Sequence, residues 1–474
     1  MNPDFVNARQ AALDTWLRAV VDACPRLEGA RLVDRFLMPA ADAFHNVVIV
    51  DDGRRSEGGE AQKRKQFVHE TTINDPLRFT DGPFGARFLG MAHHLRHAKL
   101  REEQRMENLK AKAREGGDAE DNLETLRRVN TGDFESLRVI GKGSFGKVVV
   151  ARHKKSKEIY AVKILEKANI CKRKQIEHTK TERRVMARVH HPFIVELHYA
   201  FQSRTRLYMV LEFVQGGELF HHLGKFKSFP EDWARMWTAE IVLALQYLHE
   251  QHIMFRDLKP ENILFDKDGH VKLIDFGLCK EGITDGATGA TSFCGTPEYL
   301  APEILNRVGH GTAVDFWSLG MVLHEMLTGL PPWYSRNKRR LFDRIRNAAL
   351  EFPRSVSAPA RNLIAGLLVR DPRQRLGNRG TGVMEIRTHP FFHGIDWDAL
   401  LQRKVVAPFR PSISTSSDGK PDTSNFDAAF TGMPLNDLES SGGGSGDITA
   451  PLGSDAASLP KDLCDNWILV GTES

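Results

Sequence analysis

The sequence predicts an α+β fold in two lobes, a small strand-rich one followed by a larger helical one, with an irregular tail behind them. Three observations carry this. First, the runs Phe134–Ile140, Lys147–Arg152 and Ile159–Leu165 are rich in β-branched and aromatic residues and read as strands, with Gln175–Val189 following as a helix. Second, after Gly216-Gly217 the apolar spacing turns helical, over Glu218–Leu223 and then Pro230–His249. Third, composition shifts on both sides of this stretch, to a charged, glycine-interrupted segment before it and to a tail of little apolar periodicity from residue 393.

The bulk properties bound the answer. A chain of 474 residues is too long for one ordinary core, so two or more domains are expected. Hydrophobic content of 41% and charged content of 27% are those of a soluble globular protein. The net charge of +5 is small for this length and gives no reason to expect a nucleic-acid partner. No apolar run is long enough to cross a bilayer, the start Met1-Asn2-Pro3-Asp4-Phe5 lacks a signal-peptide pattern, and Gly471-Thr472-Glu473-Ser474 carries no prenylation box. The five cysteines (Cys24, Cys171, Cys279, Cys294, Cys464) are scattered, which suits reduced thiols in an intracellular protein.

Four regions follow in order. Residues 1–42 hold an amphipathic helical pattern through Leu13, Trp16, Leu17, Val20 and Val21. Residues 43–133 form a charged linker, partly helical, with mixed charges dense between His93 and Arg114. Residues 134–392 form the motif-bearing domain, divided into a lobe at 134–211 and another at 215–392. Residues 393–474 are the tail, in which Ser440-Ser441-Gly442-Gly443-Gly444-Ser445-Gly446 has the composition of a flexible linker.

The chemistry begins at Gly141-x-Gly143-Ser144-Phe145-Gly146-x-Val148. Such a loop binds phosphates in two settings, and the sequel separates them. A dinucleotide-binding loop opens a helix, whereas here Val148-Val149-Val150 belongs in a strand. That favours a β-hairpin flap, in which missing side chains let backbone N–H groups approach phosphates, with an ordinary glycine hairpin as the plain alternative. Lys163, flanked by Val162 and Ile164, needs an anionic ligand and an acidic partner, since an unpaired ammonium in an apolar strand is costly. Glu182 on the following helix is that partner. Downstream, Phe255-Arg256-Asp257-Leu258-Lys259-Pro260-Glu261-Asn262 and Ile274-Asp275-Phe276-Gly277 set two carboxylates, a lysine and an asparagine close in sequence. Asp257 suits the orientation of a hydroxyl nucleophile, Lys259 the stabilisation of a transferring phosphoryl group, and Asn262 and Asp275 the binding of Mg²⁺ through hard oxygens. Any one of them alone would read as a turn or capping residue.

With Ala301-Pro302-Glu303 further on, the order glycine loop, A-V-K, R-D-L-K-P-E-N, D-F-G, A-P-E is that of the protein-kinase signature set. Residues 134–392 resemble the eukaryotic protein kinases from end to end, and the lysine of R-D-L-K-P-E-N is the serine/threonine form. His190-His191-Pro192-Phe193-Ile194-Val195, Gly216-Gly217-Glu218-Leu219-Phe220, Ser292-Phe293-Cys294-Gly295-Thr296-Pro297-Glu298-Tyr299 and Ala313-Val314-Asp315-Phe316-Trp317-Ser318-Leu319-Gly320 resemble the AGC group, which includes protein kinase A, Akt and the serum- and glucocorticoid-induced kinases. The resemblance implies a bilobal protein kinase fold with an AGC-type tail, ATP and Mg²⁺ as cofactors, and intracellular signalling. It places adenine among Ile140, Val148, Ala161, Leu211 and Leu264, with Glu212 and Val214 hydrogen-bonding it at the hinge. It makes Ser292 an activation-loop phosphorylation site held by His178, Arg256 and Lys280, and so implies an upstream kinase. Thr296 would support Asp257 and Lys259, and Glu303 would pair with Arg375. Glu218, Glu261 and Asp343 match acids that bind arginines before the target residue, implying substrates with arginine three residues before Ser or Thr. Asp343 taken alone fits a solvated surface carboxylate better. Phe293, Pro297 and Leu300 would line a pocket for the residue after the target.

The sequence departs from the pattern in three places. Phe255 stands where relatives carry His or Tyr, a change that keeps the ring and loses a hydroxyl. In the tail, Ser424-Asn425-Phe426-Asp427 resembles the segment whose phenylalanine reaches over the nucleotide, and Thr449 before Ala450-Pro451 resembles a turn-motif site. Cys464-Asp465-Asn466-Trp467-Ile468 is the nearest match to a terminal hydrophobic motif. Trp467 is fitted to dock on the small lobe, whereas Ile468 cannot be phosphorylated. At the other end, Phe5-Val6-Asn7-Ala8-Arg9, Leu13, Trp16-Leu17-Arg18 and Phe36-Leu37 resemble the last helices of phosphoinositide-binding PX domains, a fold of about 100 residues. Arg9 is the one position matching a lipid contact. The bland alternative is a helical hairpin packing on the kinase. The expected location is cytoplasmic, with recruitment to a membrane or endosome if that segment binds lipid. Two rival readings stand beside the enzyme, a pseudokinase scaffold and a phosphoinositide-recruited adaptor. Retention of Lys163, Asp257 and Asp275 argues against the first, and the shortness of the segment against the second.

Overall fold

The computed structural model describes residues 129–143, 146–414, 420–435 and Trp467. The segment expected to be helical at 1–42, the linker up to residue 128, Ser144, Phe145, Thr449, Cys464 and Ile468 lie outside them.

The small lobe is a five-stranded antiparallel sheet in the order β1-β2-β3-β5-β4, with β1 Phe134–Lys142, β2 Gly146–His153, β3 Ile159–Glu166, β4 Leu197–Gln202 and β5 Arg206–Glu212. The three strands read from sequence are β1 to β3, each within two residues of its expected ends. Two helices lie between β3 and β4: a short α1, Lys167–Lys172, which the sequence pattern did not reveal, and α2, Ile176–Met186. α2 stops three residues short of the expected Val189, as the chain turns toward Pro192, although the Val189 N–H still bonds the Val185 carbonyl at 3.1 Å. One face of the sheet is sealed by stacked aromatics, Phe134 on Phe201 and Phe201 on Tyr208.

The large lobe is helical. After α3 (Leu219–Phe226) comes α4 (Glu231–Glu250), then short strands β6 (Ile253–Met254), β7 (Ile263–Phe265), β8 (Val271–Leu273) and β9 (Lys280–Glu281). Next follow α5 (Pro302–Leu305), α6 (Ala313–Thr328), α7 (Lys338–Asn347) and α8 (Ala358–Leu367). α6 is buried on all sides from Ala313 to Met326, the signature of a helix at the centre of a core. It ends at Gly329, whose φ of 86° is the left-handed cap that glycine adopts without strain. Trp237 on α4 anchors the other side of the core against Phe229 and Phe265. The tail returns along this lobe: Phe409 packs on Trp233 and Trp237. It then reaches the small lobe, where a helical turn at Ala428–Thr431 packs on β1. Among the described residues, no helix is long and apolar enough to cross a membrane.

Candidate active site

Cross-strand register builds the upper wall of the cleft. Residues opposite one another in an antiparallel pair share a face, and so do residues two apart. Val148 lies opposite Lys163, Lys163 opposite Met209, and Ala161 opposite Leu211. Val148, Ala161, Lys163, Met209 and Leu211 therefore share one sheet face. Met209 is fully buried there and was not singled out from sequence. Its position directly opposite the lysine, two residues before Leu211, was the available signal. Gly141 pairs with Val148 one step further along, next to Ile140 on β1. The hairpin closes through a Gly143 N–H bond to the Gly146 carbonyl at 2.9 Å. Gly146 has no room for a side chain, since a Cβ would sit 1.7 Å from the Ile164 carbonyl oxygen, whereas a Cβ on Gly143 would meet nothing within 4 Å. The first glycine keeps the strands together, and the other leaves space at the loop tip.

Lys163 Nζ lies 2.5 Å from Glu182 Oε1 and 3.4 Å from Asp275 Oδ1. Burial alone would lower the lysine's pKa, but the carboxylates of Asp275 and Glu182 outweigh it and hold the ammonium charged. Asp275 is held below the usual carboxylate range, first by Lys163 and then by the Gly277 N–H. Its backbone has φ of 64°, a left-handed conformation that a non-glycine residue adopts at a cost of order 1–3 kcal/mol.

Below this, Asp257 is the hub of the loop Phe255–Asn262. Its Oδ1 accepts from the Thr296 N–H at 3.2 Å and the Thr296 hydroxyl at 2.9 Å. Its Oδ2 accepts from Lys259 Nζ at 2.8 Å and Asn262 Nδ2 at 3.0 Å. Lys259 also reaches the Thr296 hydroxyl, at 2.9 Å. Asn262 Nδ2 donates a second bond to the Asp257 carbonyl at 2.9 Å, which points the amide oxygen the other way. The loop is fixed from beneath by Asp315, fully buried on α6, which accepts from the N–H groups of Phe255 and Arg256 at 2.9 and 2.7 Å and contacts His249 Nε2 at 2.7 Å. In the sequence Asp315 stands out only as part of a motif; its role depends on a contact across 59 residues. Phe255 is fully buried edge-on to Phe276, 5.2 Å between ring centres, so its ring supports the D-F-G segment as a core aromatic would.

Arg256 connects this loop to Ser292. Its Nη1 donates to the exposed Ser292 hydroxyl at 2.6 Å, and its Nε and Nη2 reach the carbonyls of Leu278 and Cys279. His178 and Lys280 are near enough to act on the same charge: burial lowers the pKa of His178, and Arg256 and Lys280 lower it further. The His178 ring itself contacts Gln175, at 2.7 Å.

The acids expected on the substrate side fall in two places. Glu218 and Glu261 lie together, and burial, Glu261 and the tail's Asp427 raise the Glu218 carboxyl pKa. Asp343 instead sits exposed on α7, where it accepts from Asn347 Nδ2 at 2.8 Å, a surface carboxylate in that position. Glu325 on α6, missed from sequence, is a further acid near Glu261. Its carboxyl is pushed up to about 7 by burial, with Glu261 and Glu298 adding to the rise, while it accepts the Tyr299 hydroxyl at 2.5 Å. Phe293 is half exposed beneath Arg307, Pro297 begins a 3₁₀ turn, and Leu300 is buried. Leu264 is bridged to Glu218. Glu212 Oε2 accepts from Lys272 at 2.8 Å, and Val214 is buried beside it in the hinge. Phe426 stacks on Phe213 of the hinge, 6.0 Å between centres at 19°. Trp467 is 2% exposed and donates its indole N–H to the Tyr208 carbonyl at 3.3 Å, docked on the small lobe as its sequence context suggested.

The family model described as the protein kinase domain matches residues 134–392. The RAC-beta serine/threonine-protein kinase A of Xenopus laevis is 48% identical over 308 residues, which cover 65% of this chain and 62% of that protein. Serine/threonine-protein kinase Sgk1-B of the same species is 50% identical over 304 residues, 64% of this chain and 69% of the relative. The human RAC-beta serine/threonine-protein kinase is 47% identical over 308 residues, 65% and 63%. The chain thus spans somewhat under two thirds of the length of its RAC-beta relatives.

Proposed function

This chain belongs to the protein kinase domain family, and on that premise we propose that it is an ATP- and Mg²⁺-dependent protein serine/threonine kinase of the RAC and Sgk1 type. The observation that carries the proposal is the Asp257 hub: one carboxylate held by Thr296, Lys259 and Asn262 in a single hydrogen-bonded ring.

The residues present fit the nucleotide and its metal. The Asn262 amide oxygen is turned away from Asp257, and the recorded bonds to the Asp275 carboxylate both fall on Oδ1, so each residue has an oxygen to offer a hard cation. Bound Mg²⁺ would neutralise phosphate charge as a Lewis acid. Lys163, kept charged and aimed by Glu182, positions the phosphates from above. The open space at Gly143 admits backbone approach to them. Asp257 orients the attacking hydroxyl and receives its proton, and Lys259 stabilises the negative charge in flight. Positioning and preorganised electrostatics supply most of the acceleration in this class of reaction.

Substrates with arginine three residues before the target Ser or Thr follow from the acids Glu218 and Glu261. Activation by phosphorylation at Ser292 follows from its exposure and from Arg256 already in contact with it. Both imply partners, basic protein substrates and an upstream kinase, in a cytoplasmic setting. The adaptor reading rests on residues 1–42 and would be separated by liposome binding of that segment.

The test is transfer from ATP-Mg²⁺ to a peptide with Arg three residues before Ser, with Ser292 phosphorylation checked by mass spectrometry. Transfer by the wild type that falls by about 10²-fold or more in Asp275→Asn is the expected result. Nucleotide binding without transfer at phosphorylated Ser292 would favour the scaffold.

A further inference from the structure

His310 is the least expected side chain in the large lobe. It is 1% exposed, and neither ring nitrogen has a protein hydrogen-bond partner. Unsatisfied buried polar atoms are uncommon and call for a reason. Its surroundings supply one. The segment 285–290, on the chain that leads to Ser292, is docked against the backbone of His310 and its neighbours by a seam of main-chain contacts. The Ala290 N–H bonds the His310 carbonyl and the His310 N–H the Ala290 carbonyl, each at 2.9 Å, and the Ala313 N–H bonds the Gly286 carbonyl at 2.9 Å. At Gly311 a Cβ would lie 2.0 Å from the Asp285 carbonyl oxygen, so the two chains touch backbone to backbone.

The charged groups around the ring do not welcome a proton. Arg256 of the catalytic loop acts on it with like charge. Glu303 on α5 and Asp315 on α6 act in the opposite sense, but both carboxylates are committed. Glu303 is held by Arg375 at 2.6 and 2.9 Å, and Asp315 by His249 and the Phe255 and Arg256 N–H groups. Asp285, on the docked segment, turns its carboxylate to the Ala287 and Thr288 N–H groups. Burial leads the sum, so the docked ring favours the neutral form.

We infer that His310 is a proton-operated latch for the segment 285–290: the segment stays docked on the His310 main chain while the buried imidazole is neutral, and it is released when the ring takes up a proton. The sign follows from linkage. A histidine kept neutral in the docked state and free to titrate in the open state opposes docking only below its ordinary value, about 6.5. Above that pH the latch is silent. Below it the opening equilibrium rises by up to about tenfold per pH unit. The inference does not require the kinase reading, because its readout is local opening and not phosphate transfer.

The test is amide hydrogen exchange of residues 285–292 in the full chain between pH 8 and pH 5.5, corrected for the intrinsic pH dependence of exchange. His310→Phe and His310→Leu are compared with wild type, and their folding is checked by thermal melting at pH 8. Protection that falls in wild type below about pH 6.5, while either folded variant keeps it, is the expected result. Equal pH slopes in wild type and variants, or a flat wild type, would overturn the latch.

Discussion

Two ion pairs, one in each lobe, look alike on paper and behave as different devices. Glu303 and Arg375 in the large lobe meet bidentately at 2.6 and 2.9 Å, with side-chain exposures of 2% and 0%, and Arg375 also caps Trp317 with its guanidinium. Lys163 and Glu182 in the small lobe meet through one bond, and the lysine keeps a second carboxylate, the half-exposed Asp275, within 3.4 Å. The first pair lies in a place water does not reach; the second borders a cleft. Breaking a buried pair leaves a charge with no way to be solvated, whereas a group at a cleft edge can take up water or a proton. The large-lobe pair therefore holds the fold, and the small-lobe pair is the one placed to respond to what enters the cleft.

The largest effect should come from Arg375→Met, which strands Glu303. Stability should fall by about 3–5 kcal/mol, read by denaturant unfolding. The double variant Glu303→Leu/Arg375→Met should recover most of it, and failure to recover would show that Arg375 acts through its carbonyl contacts to Val369 and Ala313 instead. Lys163→Met should do the converse. Phosphate transfer should fall by about 10²-fold or more, with a change in Tm much smaller than that of Arg375→Met. Equal losses of stability in the two lobes would break the contrast.

A third, smaller effect concerns the loop. Phosphorylation of Ser292 should give Arg256 a charge-assisted partner and slow limited proteolysis near residues 285–293 by roughly the effect of one to three added hydrogen bonds. Arg256→Gln should remove that protection. The smallest effect is pH-dependent. Glu325 is raised from 4.5 to about 7, so the fold carries a penalty for its charged form that is small at pH 4, builds as pH rises from about 4.5 and is complete above about 7. Glu325→Gln should therefore leave Tm nearly unchanged at pH 4 and raise it by roughly 2–4 °C at pH 8. A gain at both pH values would point to packing instead.

The sequence made the reacting groups legible because the chemistry needs them close together along the chain: Asp257, Lys259 and Asn262 within six residues, and Asp275 soon after. It made the strands legible because Phe134–Leu165 is β-branched and bounded by turns. What stayed hidden depends on distance in sequence. Asp315 reaches back to Phe255 across 60 residues, Glu325 meets Tyr299 across 26, and Met209 faces Lys163 only through strand register. No local pattern encodes such pairings. Asp343 was ambiguous for the same reason: an acid in a basic helix carries no sign of which way the helix faces.

The docking of Trp467 has a consequence for the order in which the protein is made. The small lobe opens with Phe134, yet one of its buried rings, and the helical turn at Ala428–Thr431 that covers β1, are encoded after the entire large lobe. On the ribosome the five strands emerge first and must wait, with an uncovered edge and an unfilled hydrophobic site, for residues more than 250 positions later. Synthesis at about 5–20 residues per second makes that wait some tens of seconds at the slower end. The lobe that appears first is thus the lobe completed last, and its strands are exposed to chaperones for the whole interval.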